Sequence, residues 1–456
     1  MIVCKFGGSS VDGAAGIERV AGILRARLEV RPVVVVSAMA KTTRRLLDCA
    51  EAAAAGNLAA ALGGCEELRA FHLRVAAAAA PPAAHARLAA FLDESFGELC
   101  SLLVRLARER RLSPRDADAA AAWGEVLASE ILALALPRFG VDAVWIDARR
   151  VVVTDDIFTR ARPLYEECGA RLREALLPVV ERGAVPVLGG YIGATRDGIV
   201  TTLGKEGSDV SAAIVGAVIG ADEVQLWTDV DGILTADPRL VPGARRVRTL
   251  SFGESLELAC SGAKKPHPGT LGPAARAGVP IRVLNSLDGG GEGTLIGRRV
   301  AAAPAALKSL ACRPNDCLLH VSPGRGSGEA FAAKVLAAVE RLRPALLVLR
   351  LDGEGADLAL DRAARLAEAR EALAEAGEAG VLHGRAVISL VSEDLATDPG
   401  LAARTLAAAA AYQPRLVTAG VAAPAVRCLV EVEDLPAAVA DLHRRLFPGA
   451  AGEVVE

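Results

Sequence analysis

Aromatic residues make up only 3% of this 456-residue chain, and no basic block interleaves them with lysine and arginine. A nucleic-acid surface calls for such a block, and the net charge of −3 supplies no positive field in its place, so the sequence points away from nucleic acid. No CxxC pair occurs among the nine cysteines, and the odd count argues for reduced, mostly buried thiols in a cytoplasm rather than a disulfide framework. Long apolar runs are scarce too. Much of the hydrophobic content is alanine, and stretches such as AAAAAPPAAHARLAA are broken by proline and too short to span a bilayer. The N-terminus opens directly on an apolar strand, without a basic, then apolar, then small-residue cleavage pattern. Neither a membrane partner nor secretion is expected.

The length exceeds what one core can serve, so about two or three domains are expected. Up to about residue 299 strands and helices alternate. IVCKF, VVVVSA, DAVWID, VPVLGGYI, EVQLWTDV and IRVLN are short apolar runs rich in β-branched residues, the pattern of an α/β domain with a mostly parallel sheet. Alanine-rich helical sequence from 50 to 135 interrupts the alternation as a helical layer or lid. Beyond 300 two shorter cycles, each reading strand, helix, strand, strand, suggest a tandem repeat of a small α/β module.

Four stretches carry chemistry. MIVCKFGGSSV ends a buried strand on a lysine, two glycines and two serines ahead of an amphipathic helix; glycines admit backbone N–H groups to an anion, and Lys5 adds a full positive charge. An ordinary strand–turn–helix joint uses the same residues. TTLGKEGSDVSAAIVGAVIGA reads as a second anion-binding turn or as a helix capped by Ser208 or Asp209. In WTDVDGILTADPR, Asp229 and Asp231 either meet a nucleotide or shape the turn, and the glycine and glutamate spacing of a calcium loop is not met. In SGAKKPHP, Lys264 follows a predicted helix, where a lysine also complements the helix dipole.

Taken together, KFGGSSV (5–11), VVSAMAKTT (35–43), WGEVLAS (123–129), TTLGKEGSDVSA (201–212), WTDVDGILTADPR (227–239) and LELACSGAKKPHP (256–268) give residues 1–298 a strong resemblance to the aspartate kinase family of the amino-acid kinase fold group. GRAVISLVSEDLATDPGLAARTLAA resembles the second of the paired ACT modules that follow the kinase domain in that family, and 307–365 resembles the first more loosely. The resemblance implies a three-layer αβα sandwich with a mostly parallel central sheet over 1–299, followed over 300–456 by two ACT-like, ferredoxin-type α/β modules in a regulatory or dimerisation region.

It also implies transfer of the γ-phosphoryl group of ATP, with Mg2+, to the side-chain carboxylate of L-aspartate, the first step toward lysine, threonine and methionine. That carboxylate is already ionised at neutral pH, so the reaction needs positioning and charge neutralisation rather than a base. Lys5, Gly7, Gly8 and Ser9 would stabilise the transferring group, and Asp209 would organise Lys5 and the magnesium ion. Ser208 would assist at the glycine turn. Ser37, Thr228, Asp229 and Lys264 would lie on the nucleotide. Thr43 and Glu125 would meet the substrate, Glu125 at its ammonium. The family grips the α-carboxylate with an arginine where this chain has Lys205, a compact charge without the planar fork, and Glu206 stands where many relatives have glycine. Ala40 likewise replaces a common glycine, and Pro266 a common leucine.

Two other functions fit the same residues: a kinase for a different amino-acid carboxylate in specialised metabolism, and a non-catalytic amino-acid sensor. SPGRGSGEAF and LVTAGVAAPAVRCLV stand where relatives carry polar, effector-meeting segments and have lost most of that chemistry. A homodimer or larger homo-oligomer built through the C-terminal modules is therefore expected ahead of feedback control.

Overall fold

The structure is a computed structural model and describes residues 1–263, 266–298, 305–324, 330–342, 346–360, 365–412, 414, 416–419, 424–447 and 449. It divides into two compact units, Met1–Gly232 with Gly269–Gly297, and Ile233–Pro268 with Arg298–Glu456.

In the first unit a sheet runs in the order Ala143–Ile146, Val185–Gly189, Pro32–Val36, Ile2–Phe6, Glu223–Thr228, Ile281–Asn285, Thr294–Gly297. All neighbours are parallel except the last pair. The runs IVCKF, PVVVV and VPVLG are buried at every position, as strands covered by helices on both faces must be. Ile2–Phe6 is central, with Lys5 level with Val35 on one side and Leu226 on the other. Because the strands are parallel, their carboxyl ends collect at one edge, where open α/β sheets bind ligands.

The alanine-rich insertion forms helices Thr42–Ala54, Leu58–Ala79, Pro82–Glu109, Pro114–Ala121 and Trp123–Ala135. Leu68, Leu88, Leu92 and Leu103 share one continuous apolar core with Cys4, Phe6 and Val34 of the sheet, so this is a packed layer and not a lid. Pro114–Phe139 is apolar enough by length and composition to cross a membrane, but 83% of its most apolar window is buried in the protein, as in a core helix.

The second unit is built on an antiparallel sheet in the order Leu346–Leu351, Ala356–Leu360, Ser309–Pro323, Gly377–Val391, Ala425–Glu431, Leu416–Ala419. Its two central strands are 15 residues each and pair from Ser309 opposite Val391 to Pro323 opposite Gly377. Each serves two cores. Cys317, Leu319 and Val321 join Phe331, Val335 and Leu358 in one, while Leu310, Ile388 and Leu390 join Val426, Val439 and Leu442 in the other. The two modules are thus not beads in sequence order. One, spanning about 317–383, is inserted into the other, whose first strand comes from 309–313. Ala236 and Val241 belong to the second core, which brings Ile233–Pro268 into this unit although it lies well before residue 300.

Candidate active site

Lys5 lies near the end of the central strand with its side chain 4% exposed, and its Nζ stands 2.5 Å from Asp209 Oδ1, which is 1% exposed. Asp209 sits in the first turn of helix Gly207–Ile219, where a negative charge complements the helix dipole. Neither charge could be buried without the other. The chain after Lys5 turns sharply. Gly7 donates its N–H to the Trp227 carbonyl at 3.2 Å, and a Cβ on Gly8 would stand 2.6 Å from the Ala38 carbonyl oxygen, so position 8 admits only glycine. The two serines divide: Ser10 is buried, 2.7 Å from Ser286 Oγ, while Ser9 is exposed on the turn.

Glu125 opens helix Trp123–Ala135 and is 4% exposed. A Cβ on Gly124 would meet Ala38 Cβ at 2.8 Å and Thr43 Oγ1 at 2.9 Å, and its absence lets the helix close on the 37–43 loop. The Glu125 carboxylate accepts from the Ala38 N–H at 3.2 Å and from the Thr43 hydroxyl at 3.4 Å. Burial pushes its carboxyl up to about 8, against the pull of these donors and of the nearby Lys5 ammonium.

Thr43, Glu125, Lys205 and Ser208 line one pocket of about 340 Å3, together with Thr159, Tyr191, Gly204, Glu206 and Gly207. Thr159 and Tyr191 carry no sequence signal: they enter the pocket through turns with φ of 69° and 66°. Burial pushes the Tyr191 phenol up to about 12 and keeps it neutral. Glu206, at φ 55°, is left-handed, which accounts for glycine being the usual residue there; Ala40, at φ 44°, answers to the same reason. Among the described residues neither the Lys205 nor the Glu206 side chain has a hydrogen-bonding or ionic partner.

The nucleotide-side candidates occupy the same sheet edge. Ser37 follows strand Pro32–Val36 and donates its N–H to the Phe6 carbonyl at 3.0 Å. Thr228 ends strand Glu223–Thr228, buried, with its hydroxyl 3.0 Å from Asp229 Oδ1. Asp229 itself is exposed, as is Asp231, which accepts from Asn285 Nδ2 at 2.6 Å. Lys264 lies outside the described residues. Among the described residues no cluster of three or more His, Cys, Asp or Glu side chains is placed to hold a metal ion.

Residues 1–285 match the model of the amino acid kinase family. The chain is 30% identical to the lysine-sensitive aspartokinase 3 of Escherichia coli over 458 residues, covering 98% of this chain and 99% of that protein. It is 34% and 33% identical to the chloroplastic aspartokinases 2 and 3 of Arabidopsis thaliana, spanning 66% and 71% of their lengths. The fold matches E. coli aspartokinase III in complex with aspartate and ADP with a TM-score of 0.83 at 29% identity, over 98% of this chain and all of that one.

Proposed function

Since this chain belongs to the aspartokinases of the amino acid kinase family, we propose that it transfers the γ-phosphoryl group of ATP to the side-chain carboxylate of L-aspartate, giving 4-phospho-L-aspartate and ADP. The observation that carries this reading is the buried Lys5–Asp209 pair beside a pocket lined by Glu125, Thr43, Lys205 and Ser208. An aspartate carboxylate oxygen attacks the γ-phosphorus as the bond to the β,γ-bridging oxygen breaks, and ADP carries away that electron pair. Lys5, with the Gly8 N–H and Ser9, meets the charge on the transferring oxygens, while the Gly7 N–H expected to join them is already given to the Trp227 carbonyl. Asp209 holds the Lys5 ammonium on target. Glu125 ionises against the substrate ammonium, and Lys205 receives the α-carboxylate.

Ser37, Thr228 and Asp229 serve the nucleotide, and Lys264 its phosphates. A single buried carboxylate, Asp209, is a donor set that suits Mg2+ held mainly through substrate phosphates and water, where the ion would neutralise phosphate charge. We place the enzyme in the cytoplasm, in keeping with nine free cysteines, and as a homo-oligomer assembled through the second unit, whose edge strand Leu416–Ala419 presents an exposed Val417.

A second reading, a kinase for another amino-acid carboxylate, is favoured by Lys205 and by the Glu206 carboxylate, which lines the same pocket without a partner among the described residues. Trapping with hydroxylamine decides. Mg-ATP and L-aspartate should give ADP and aspartyl hydroxamate; hydroxamate from a different amino acid alone would select the second reading, and none from any would remove kinase activity altogether.

A further inference from the structure

One buried carboxylate beside the pocket has no part in the chemistry above. Asp118, in helix Pro114–Ala121, is 1% exposed, and three donors converge on it. Its Oδ2 accepts from the Thr159 N–H at 2.8 Å and the Thr202 N–H at 3.0 Å, while Oδ1 accepts from the Thr202 hydroxyl at 2.6 Å. The two segments it ties together supply most of one pocket wall. Thr159 lines the pocket directly, and Thr202 leads straight into Gly204–Ser208, which does so as well. A further bond, from the Ala161 N–H to the Thr202 carbonyl at 2.8 Å, closes the two segments on each other.

Thr159 is held at φ 69°, a conformation that a β-branched residue adopts only where its surroundings over-determine it. The bond from its own N–H to Asp118 is such a constraint. An asparagine here could still accept both backbone N–H groups through one oxygen and donate its amide to the Thr202 hydroxyl, so what the change removes is the negative charge that strengthens all three bonds. We propose that Asp118 is a positioning residue for amino-acid recognition, fixing the strained Thr159 turn and the Lys205 loop in one setting so that the pocket is preformed before substrate arrives. A preformed wall lowers the ordering penalty of binding, so losing it weakens the amino acid and leaves ATP alone.

This inference rests on the kinase reading of the pocket, and the experiment separates the two. Steady-state kinetics of the full-length chain, varying L-aspartate at saturating Mg-ATP and the reverse, are compared for the wild type, Asp118→Asn, Asp118→Asn with Thr159→Gly, and Thr202→Val. Asp118→Asn should raise the KM for aspartate about ten-fold, the equivalent of roughly one strong hydrogen bond, with the KM for ATP within two-fold. Glycine takes positive φ without strain, so Thr159→Gly in the Asp118→Asn background should recover at least half of the loss on a logarithmic scale. Thr202→Val removes a single donor, leaves the fold intact should Asp118→Asn prove insoluble, and should raise the KM for aspartate about three-fold. Unchanged aspartate KM in these variants, or a parallel rise in the KM for ATP without recovery by Thr159→Gly, would overturn the positioning role while leaving the kinase reading in place. A wild-type chain without turnover on any amino acid would overturn both.

Discussion

At the end of the first unit's sheet, charged groups face open space: the Lys205 and Glu206 side chains line a pocket without partners among the described residues. In the second unit the comparable groups close on one another. Arg427 meets Glu257 through two hydrogen bonds, Asp357 accepts from Arg350 Nε at 2.7 Å and stands 2.7 Å from His320 Nδ1, and Thr235 Oγ1 stands 2.8 Å from His443 Nε2. A polar group paired inside the fold is committed to that fold, whereas the exposed Lys205 and the half-buried Glu206 remain open to a ligand. The contrast separates the pocket's open charges from paired groups that hold the fold, of which the first unit also has its share, Arg105 with Asp116 among them.

The sharpest way to break the contrast is to remove the buried Lys5–Asp209 pair beside the pocket. Lys5→Ala should lower turnover by about 100-fold or more, because it deletes a fixed charge aimed at the transferring phosphoryl, and it also strips the ammonium from the buried Asp209. Steady-state ADP release measures it. Turnover within a few-fold of wild type would take Lys5 out of the reaction.

Glu125→Gln comes next. Losing a charge-assisted contact to the substrate ammonium should raise the KM for aspartate about ten-fold or more. The pH signature is distinctive. Burial holds the free-enzyme carboxyl at about 8, so at pH 7 it is mostly protonated, and binding an ammonium should expel close to one proton, visible by calorimetry in buffers of different ionisation enthalpy. The sign for stability follows. Between the unfolded value of about 4.3 and about 8, the native state holds a proton that the unfolded chain has lost, so this residue's contribution falls as pH rises through that window. Saturating aspartate should flatten the fall, and Glu125→Gln should abolish both effects.

Much of this architecture is legible in the amino-acid sequence itself. Runs such as PVVVV and EVQLW announce buried parallel strands because period and β-branching are local properties, and the motifs that single out Thr43, Glu125, Lys205 and Ser208 are brought by the fold to one pocket. Three features are not legible there. Thr159 and Tyr191 reach the pocket through positive φ values, which no residue preference announces for a threonine or a tyrosine. Asp118 acts through partners more than forty residues away, beyond any periodicity. Ile233–Pro268 packs in the second unit through Ala236 and Val241, and the two modules interleave across strands of 15 residues, because sheet pairing between distant segments leaves no mark in either segment alone. Reading along the chain shows two cycles in succession and carries no sign of the strands they share.

Lys205→Arg probes the open side of the comparison with net charge held constant. A guanidinium adds the second of two parallel hydrogen bonds to an α-carboxylate, and the KM for aspartate should fall about ten-fold, with kcat little changed. An unchanged KM would move the second reading, another amino-acid carboxylate, ahead of aspartate.

The smallest effect expected is the most discriminating, because it pits strain against charge at one residue. Glu206 holds a left-handed conformation that disfavours a Cβ by about 1 kcal/mol, so Glu206→Gly should stabilise the protein by that amount and raise its melting temperature by about 1–2 °C. Ala40 has the same backbone strain at φ 44° but does not line the pocket, so Ala40→Gly should give a similar thermal gain. Substrate affinity separates the two variants. Removing the Glu206 carboxylate leaves Lys205 as the uncontested charge beside a substrate carrying two carboxylates, and the KM for aspartate should drop by a few-fold. Ala40→Gly should leave it where it was. If both variants gain stability and neither alters the KM, Glu206 is only a strained surface residue, and its carboxylate has no share in choosing the substrate.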